Sequence, residues 1–195
     1  MNAQMTGQGA AKEIGINQVN GVDLNTLKGT IQAVADDAEL GKCHFRARNT
    51  WMAGTHNRTT VTGFYGAKQE IPHKQDFTLD ADEPAILAGG DAGANPVEHL
   101  LNALAACMTT SMVAHAAVQG IYIESLQSEL EGDLDLQGFF GLSDEVPRGY
   151  TDIRVRFKVR AQPEELERLK QLTTFSPVLN TITNGANVSV QVESE

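Results

Sequence analysis

Between residues 153 and 160 the chain alternates without interruption: Ile153, Val155, Phe157 and Val159 are apolar, while Arg154, Arg156, Lys158 and Arg160 are charged. A period of two puts each set on its own face, the pattern of a half-buried antiparallel strand. Over 95–119, NPVEHLLNALAACMTTSMVAHAAVQ, the period becomes helical. Val97, Leu100, Leu101, Leu104, Ala105, Met108 and Met112 form one apolar face. Asn95 suits the N-cap, Pro96 the first helical position, and Glu98 the capping-box carboxylate that reaches back to the cap N–H. Gly120 follows the last turn as a C′ residue. A helix of this length is about 36 Å long at 1.5 Å per residue, so it must be central.

The other elements are shorter. VDLNTLKGTIQAVADDAEL places Leu24, Leu27, Ile31, Val34 and Leu40 at roughly helical spacing, which predicts an amphipathic helix on the outside of the main domain or on a partner subunit. CHFRARNTWMAG and RTTVTGFYG read as strands joined by the turn residues of GTHN, and KQDFTLDAD as a third strand. The Gly- and Pro-containing DEPAILAGGDAGANP is a loop leading into the long helix. IYIESLQSELEGDLDL is a strand running into a loop, PEELERLKQL a short helix, FSPVLNTITNG a helix restarting after Ser176-Pro177, and VSVQVE a closing strand. Strands, a long helix, then strands and short helices predict an α+β fold with a largely antiparallel sheet. Residues 1–20 are polar and expected to fray. Residues 1–40 form an N-terminal extension with one helix, and residues 41–195 the main domain.

Composition narrows the function. The 195 residues are 41% hydrophobic and 21% charged, with a formal net charge of −10. This is the balance of a soluble globular chain. The negative charge and the lack of a basic stripe argue against nucleic-acid binding. The N-terminus has neither the basic nor the apolar region of a signal peptide, and no run approaches the ~20 apolar residues of a membrane span. A cytoplasmic location is expected. His44, His56, His73, His99 and His115 show no metal-ligand spacing, and neither a metal nor another cofactor is expected.

Two cysteines, Cys43 and Cys107, do not make a disulfide framework. Cys107 lies in the long helix. His99, Ala103, Cys107, Ser111 and His115 follow one another at i+4, yet each histidine is about 12 Å from Cys107 along the axis, too far for a direct base. Solvent or subunit contact is the expected role of both histidines. No lysine or arginine in the local sequence is positioned to lower the thiol's pKa. On local grounds Cys107 is a buried small hydrophobe or a reactive thiol.

From about Arg46 onward the chain resembles the OsmC/Ohr superfamily. The resemblance is carried by Trp51 to Gly54 (W-x-x-G), Phe77 to Pro84 (FTLDADEP), and Gly89 to Cys107 (GG-x-x-G-x-N-P-x-E-x-L-L-x-A-L-x-A-C). The Gly120-Ile121 exit and the late Ser176 to Val178 (S-P-V) also fit. It implies an intertwined homodimer in which antiparallel sheets from both subunits wrap long central helices, with active sites at the interface. It also implies reduction of organic hydroperoxides or hydrogen peroxide by a cysteine pair. Cys107 matches the peroxide-attacking cysteine. The second cysteine, which closes the disulfide, falls on Ser176, where no disulfide can form. The family's glutamate falls on Val97, with Glu98 one residue later and on the far side of its helix from Cys107. Arg58 is the best positional match for the thiolate-stabilising arginine, and Arg48 the second.

The resemblance implies a thiol-dependent peroxidase acting through Cys107, with an external thiol reductant, or Cys43, resolving the sulfenic acid. Its rival is a non-catalytic dimer that binds a small apolar molecule in the interface pocket, with Ser176 serving as a helix N-cap.

Overall fold

The structure, a computed structural model, describes residues 17–194. Strands β1 (Gln18–Val19) and β2 (Val22–Asp23) form a small hairpin, followed by α1 (Leu24–Asp36) and a 3-10 turn at Ala38–Gly41. A four-stranded antiparallel sheet comes next: β3 (His44–Phe45), β4 (Arg48–Ala53), β5 (His56–Gly66) and β6 (Gln69–Ala81). Central β5 pairs with β3 and β4 on one side and with β6 on the other. After a loop with a 3-10 turn at Ala85–Leu87 runs the long α2 (Pro96–Val118). Strand β7 (Ile123–Asp133), the short α3 (Leu136–Phe139) and β8 (Asp152–Ala161) follow, and β7 and β8 form a second antiparallel sheet. A 3-10 turn at Pro163–Glu165 leads into α4 (Leu166–Leu172), and one at Thr173–Phe175 leads into α5 (Pro177–Asn184). The fold is α+β with antiparallel sheets, as the patterning predicts.

Helix α2 begins as expected. The Asn95 side chain accepts the Val97 N–H at 2.9 Å, and the Glu98 carboxylate accepts the Asn95 N–H at 2.9 Å. The helix ends at Gly120, whose φ of +73° favours glycine. At 23 residues it is long and apolar enough to cross a bilayer by length and composition, contrary to the sequence reading that no run approaches a span. Part of its surface is instead core. Met112, Ala116, Ile121, Leu169 and Leu172 pack together, with Phe157 and Val159 of β8 against them. The inner positions of β8 are half-buried and the charged positions exposed. Arg154, Lys158 and Arg160 pair across to Asp133, Glu129 and Glu124 of β7.

The N-terminal extension is docked on this core. Asn20 Nδ2 donates to the Ile121 carbonyl, and the Ile123 N–H donates to Asn20 Oδ1, both at 2.9 Å. The Asn20-Gly21 turn (φ +54° and +77°) aims that amide, and Leu24 is buried beside it. Leu40 lies beyond α1, in the 3-10 turn. Residues 1–16 of the expected frayed start lie outside the described residues.

Two expectations are corrected. The third strand begins at Gln69 rather than near Lys74, because Ala67 and Lys68 both take positive φ (+47° and +61°) and turn the chain directly back. Gly63 accommodates the irregularity that follows: a Cβ there would lie 2.6 Å from the Ile71 carbonyl. The closing segment VSVQVE is not a strand within the protomer. Val188, Val190 and Val192 alternate as predicted but are 84%, 80% and 92% exposed, since no described strand pairs with them.

Candidate functional site

Helical geometry gives α2 two working sides. Each residue advances about 100°, so Ala103 and His99 lie about 40° and 80° from Cys107 in one sense, and Leu100 and Leu104 about 20° and 60° in the other. The first side faces the four-stranded sheet. There Pro96, His99, Asn102 and Ala103 form one wall of an open cleft of about 570 Å³, opposite Asn49, Trp51, Asn57, Thr59, Leu79 and Ala81. The second side packs toward α5, with Leu100 and Leu104 near Leu179 and Ile182. Cys107 lies between the two, half-buried, one turn beyond the end of the cleft. Its Sγ makes no hydrogen bond with any described residue.

Strand alternation decides which sheet residues meet the helix. Asn49 pairs with Thr59, Trp51 with Asn57, Thr59 with Leu79 and Asn57 with Ala81, so these six share the cleft-facing side. Arg58 pairs with Thr50 and Asp80 and therefore faces the other way. Its Nε and a terminal nitrogen donate to the Asp80 carboxylate at 2.9 and 3.1 Å, and His56 Nε2 lies 2.9 Å from the same carboxylate. Arg58, then His56, hold Asp80 below the usual carboxylate range. Arg48 pairs with Thr60, on the same side as Arg58. The structure thus does not bring Arg58 or Arg48 to Cys107 within one chain.

Nor does it bring Glu98 there. That carboxylate is committed to the cap, half a turn of the helix away from Cys107. Ser176 is fully buried and caps α5, its Oγ accepting the Leu179 N–H at 3.2 Å. Cys43, the other free cysteine, is exposed beside Gly66 of the sheet.

Both histidines have partners inside the protomer and are half-buried. His99 Nε2 donates to the Asp80 carbonyl at 3.1 Å, fixing the helix start to the sheet. His115 stacks on Phe175, ring centroids 4.1 Å apart, which holds the turn before Ser176 against α2. Of the cleft residues, Asn57 and Asn102 were not singled out in the sequence, and Trp51 only as the start of the W-x-x-G stretch. The alternation of 49, 51, 57 and 59 was the available signal, but it shows only once the β4–β5 register is known.

The loop between sheet and helix is organised by Asp82, buried and holding four donors. Thr55 Oγ1 donates at 2.6 Å, and the N–H groups of Glu83, Gly90 and Ala92 at 2.8, 3.0 and 3.1 Å. These bonds, led by that of Thr55, lower its pKa to about 2. The loop cannot shift without breaking them, so Asp82 sets where α2 starts relative to the sheet. At the same end, Tyr150 donates to the Val97 carbonyl at 3.0 Å and ties the β7–β8 connection to the helix. No group of three or more potential metal ligands occurs among the described residues.

A long capped helix with a half-buried cysteine, between an N-terminal and a C-terminal antiparallel sheet, defines a particular class of α+β protein. A family model of OsmC-like proteins matches residues 89–191, just over half the chain, and the protein belongs to that family. Solved structures share the fold at low identity. An osmotic stress induced and detoxification response protein, so described, from Psychrobacter arcticus is 15% identical, with a TM-score of 0.54 over 71% of this chain and 88% of its own. An OsmC-like protein from Mycoplasma pneumoniae is 18% identical, with a TM-score of 0.52 over 71% and 86%. An OsmC-like protein of unknown function from Vibrio cholerae is 18% identical, with a TM-score of 0.52 over 71% and 92%. No curated protein matches the sequence.

Proposed function

We propose that the protein is a homodimeric, cysteine-based peroxidase that reduces organic hydroperoxides or hydrogen peroxide through Cys107 and takes its reducing equivalents from an external thiol. One observation carries the reading: the half-buried Cys107 lies on the long helix within the family match, one turn beyond a cleft that contains Trp51. In the first step the thiolate attacks one peroxide oxygen, the O–O bond breaks, and the leaving alkoxide takes a proton to become the alcohol. Cys107 is left as a sulfenic acid. Ser176 carries no sulfur, so a small thiol condenses with the sulfenic acid, releasing water and forming a mixed disulfide. A second thiol then returns Cys107 and departs as the oxidised disulfide. The need for free thiols fits a reducing compartment such as the cytoplasm.

Exposed apolar side chains support the dimer in this reading. Trp51 is 70% exposed, Leu79 and Phe77 on the same sheet face are also exposed, and the valines of residues 188–192 form a strand pattern with no described partner strand. A second copy supplies both a cover and an edge. Arg58 and Glu98 have no part in the reaction within one chain.

A second reading is favoured by Ser176 itself, a buried cap where the catalytic pair would need a thiol. There the cleft binds a small apolar molecule and Cys107 is only packed. Turnover of cumene hydroperoxide or hydrogen peroxide with dithiothreitol separates the two. The peroxidase reading requires consumption that Cys107→Ser abolishes; no consumption above the Cys107→Ser background leaves the binding reading.

A further inference from the structure

A second hollow lies on the other side of α2. Met108 and Met112 are turned about 100° and 140° from Cys107, away from the cleft. Facing them are Val155, Phe157 and Val159 of β8 and Leu166 and Leu169 of α4, around a volume of about 450 Å³. Met112 and Leu169 are each 1% exposed, so this space borders the best-packed part of the protein. This hollow is open to solvent on one side, so its apolar lining is exposed surface that an apolar ligand would cover.

The lining states its chemistry. Apart from Lys170 and Thr173, every lining side chain is apolar. The Thr173 hydroxyl already donates to the Lys170 carbonyl at 2.7 Å. That leaves the Lys170 ammonium, well exposed, with its nearest carboxylate, Glu167, only loosely paired at 3.9 Å. From Val155 to Val159 the wall runs about 13 Å at roughly 3.3 Å per residue, the span of a medium-length alkyl chain. The methionines can re-pack around such a chain. We propose that the hollow binds a medium-chain fatty acid, its alkyl chain along β8 and its carboxylate at Lys170. The site shares no lining residue with the cleft between α2 and the four-stranded sheet and does not depend on the peroxidase reading.

Calorimetric titration of the full chain with decanoate, decan-1-ol and decyltrimethylammonium tests this. Decanoate is expected to bind once per chain, at least tenfold tighter than the alcohol, with no binding of the cation. Lys170→Glu should weaken decanoate at least tenfold and leave the alcohol unchanged. Leu166→Trp, at the half-exposed rim, should fill the space and abolish both without unfolding the protein. Cys107→Ser should bind as the parent does, whatever its peroxidase activity. No decanoate binding, equal binding of acid and alcohol, or decanoate binding that survives both Lys170→Glu and Leu166→Trp would overturn the proposal.

Discussion

Ser176 Oγ accepts the backbone N–H of Leu179 at 3.2 Å, so the residue at the position of the family's second cysteine is a working helix cap. Its substitution has two separable consequences. Ser176→Cys removes a good capping oxygen, which costs about 1 kcal/mol, and on the order of 3 °C in Tm for a chain of this size. It also restores a thiol at the helix start where the resemblance places the disulfide. Treated with peroxide, Ser176→Cys is expected to form an intramolecular 107–176 crosslink, visible by mass spectrometry as the loss of two hydrogens. The parent should stop at a sulfenic acid or over-oxidise. Both thiols remaining alkylatable in the unfolded, oxidised variant would show that the S-P-V segment does not lie where the resemblance puts it.

Arg58 provides the next test. Its guanidinium is held by Asp80 on the sheet face away from α2, although the sequence pointed to it as the partner of the Cys107 thiolate. Arg58→Ala is therefore expected to change the rate of Cys107 alkylation by iodoacetamide near pH 7 by less than about twofold, since the ion pair is exposed and worth little. A tenfold slower reaction would mean that Arg58 acts on the thiol of a second copy. Cys107 itself should label in the native state; labelling only after denaturation favours the packed reading.

The sequence was most legible where one segment carries its own signal. Asn95, Pro96 and Glu98 define the start of α2 through contacts made within four residues, and the alternation over 153–159 needs only a core on one side. It was least legible where the answer depends on pairing. Whether Arg58 or Asn57 faces α2 follows from the register of β4 and β5, which no local pattern states. His99 and His115 drew attention through their spacing from Cys107, but their roles come from Asp80 and Phe175, far away in the chain. The valines of residues 188–192 have the right period and still form no strand, because pairing requires an edge as well as a pattern.

Asp82 predicts a pH dependence. Its pKa is lowered from 3.8 to about 2 by Thr55 and three backbone N–H groups. A depressed folded-state pKa contributes stability that is fully present above about pH 4 and lost as pH falls toward 2. Asp82→Asn has one accepting oxygen for four donors and turns an amide toward the rest. It is expected to lower Tm by on the order of 5 °C at pH 7 and to flatten the acid limb of stability between pH 4 and 2. Thermal melts across that range check both effects, and an unchanged acid limb would remove Asp82 from its place at the centre of the loop.

The last prediction concerns assembly. Strands expose backbone donors and acceptors along their edges, and an alternating apolar strand left unpaired is unfavourable in water. The chain presents both halves of that problem: the valines of residues 188–192 with no described partner, and a sheet face on which Trp51, Leu79 and Phe77 are exposed among polar neighbours. Dimerisation resolves the two together if the tail of each copy pairs with the other's sheet and these side chains are covered. Val190→Lys places a charge in the middle of the tail, and Trp51→Asp places one on the sheet face; neither touches the core of the protomer. Each is expected to weaken the dimer at least tenfold in sedimentation equilibrium, while far-UV circular dichroism keeps the parent's α+β signature. A parent chain that sediments as a folded monomer at micromolar concentration would end the dimer reading. Dimers unaffected by both substitutions would mean that the copies meet through another surface.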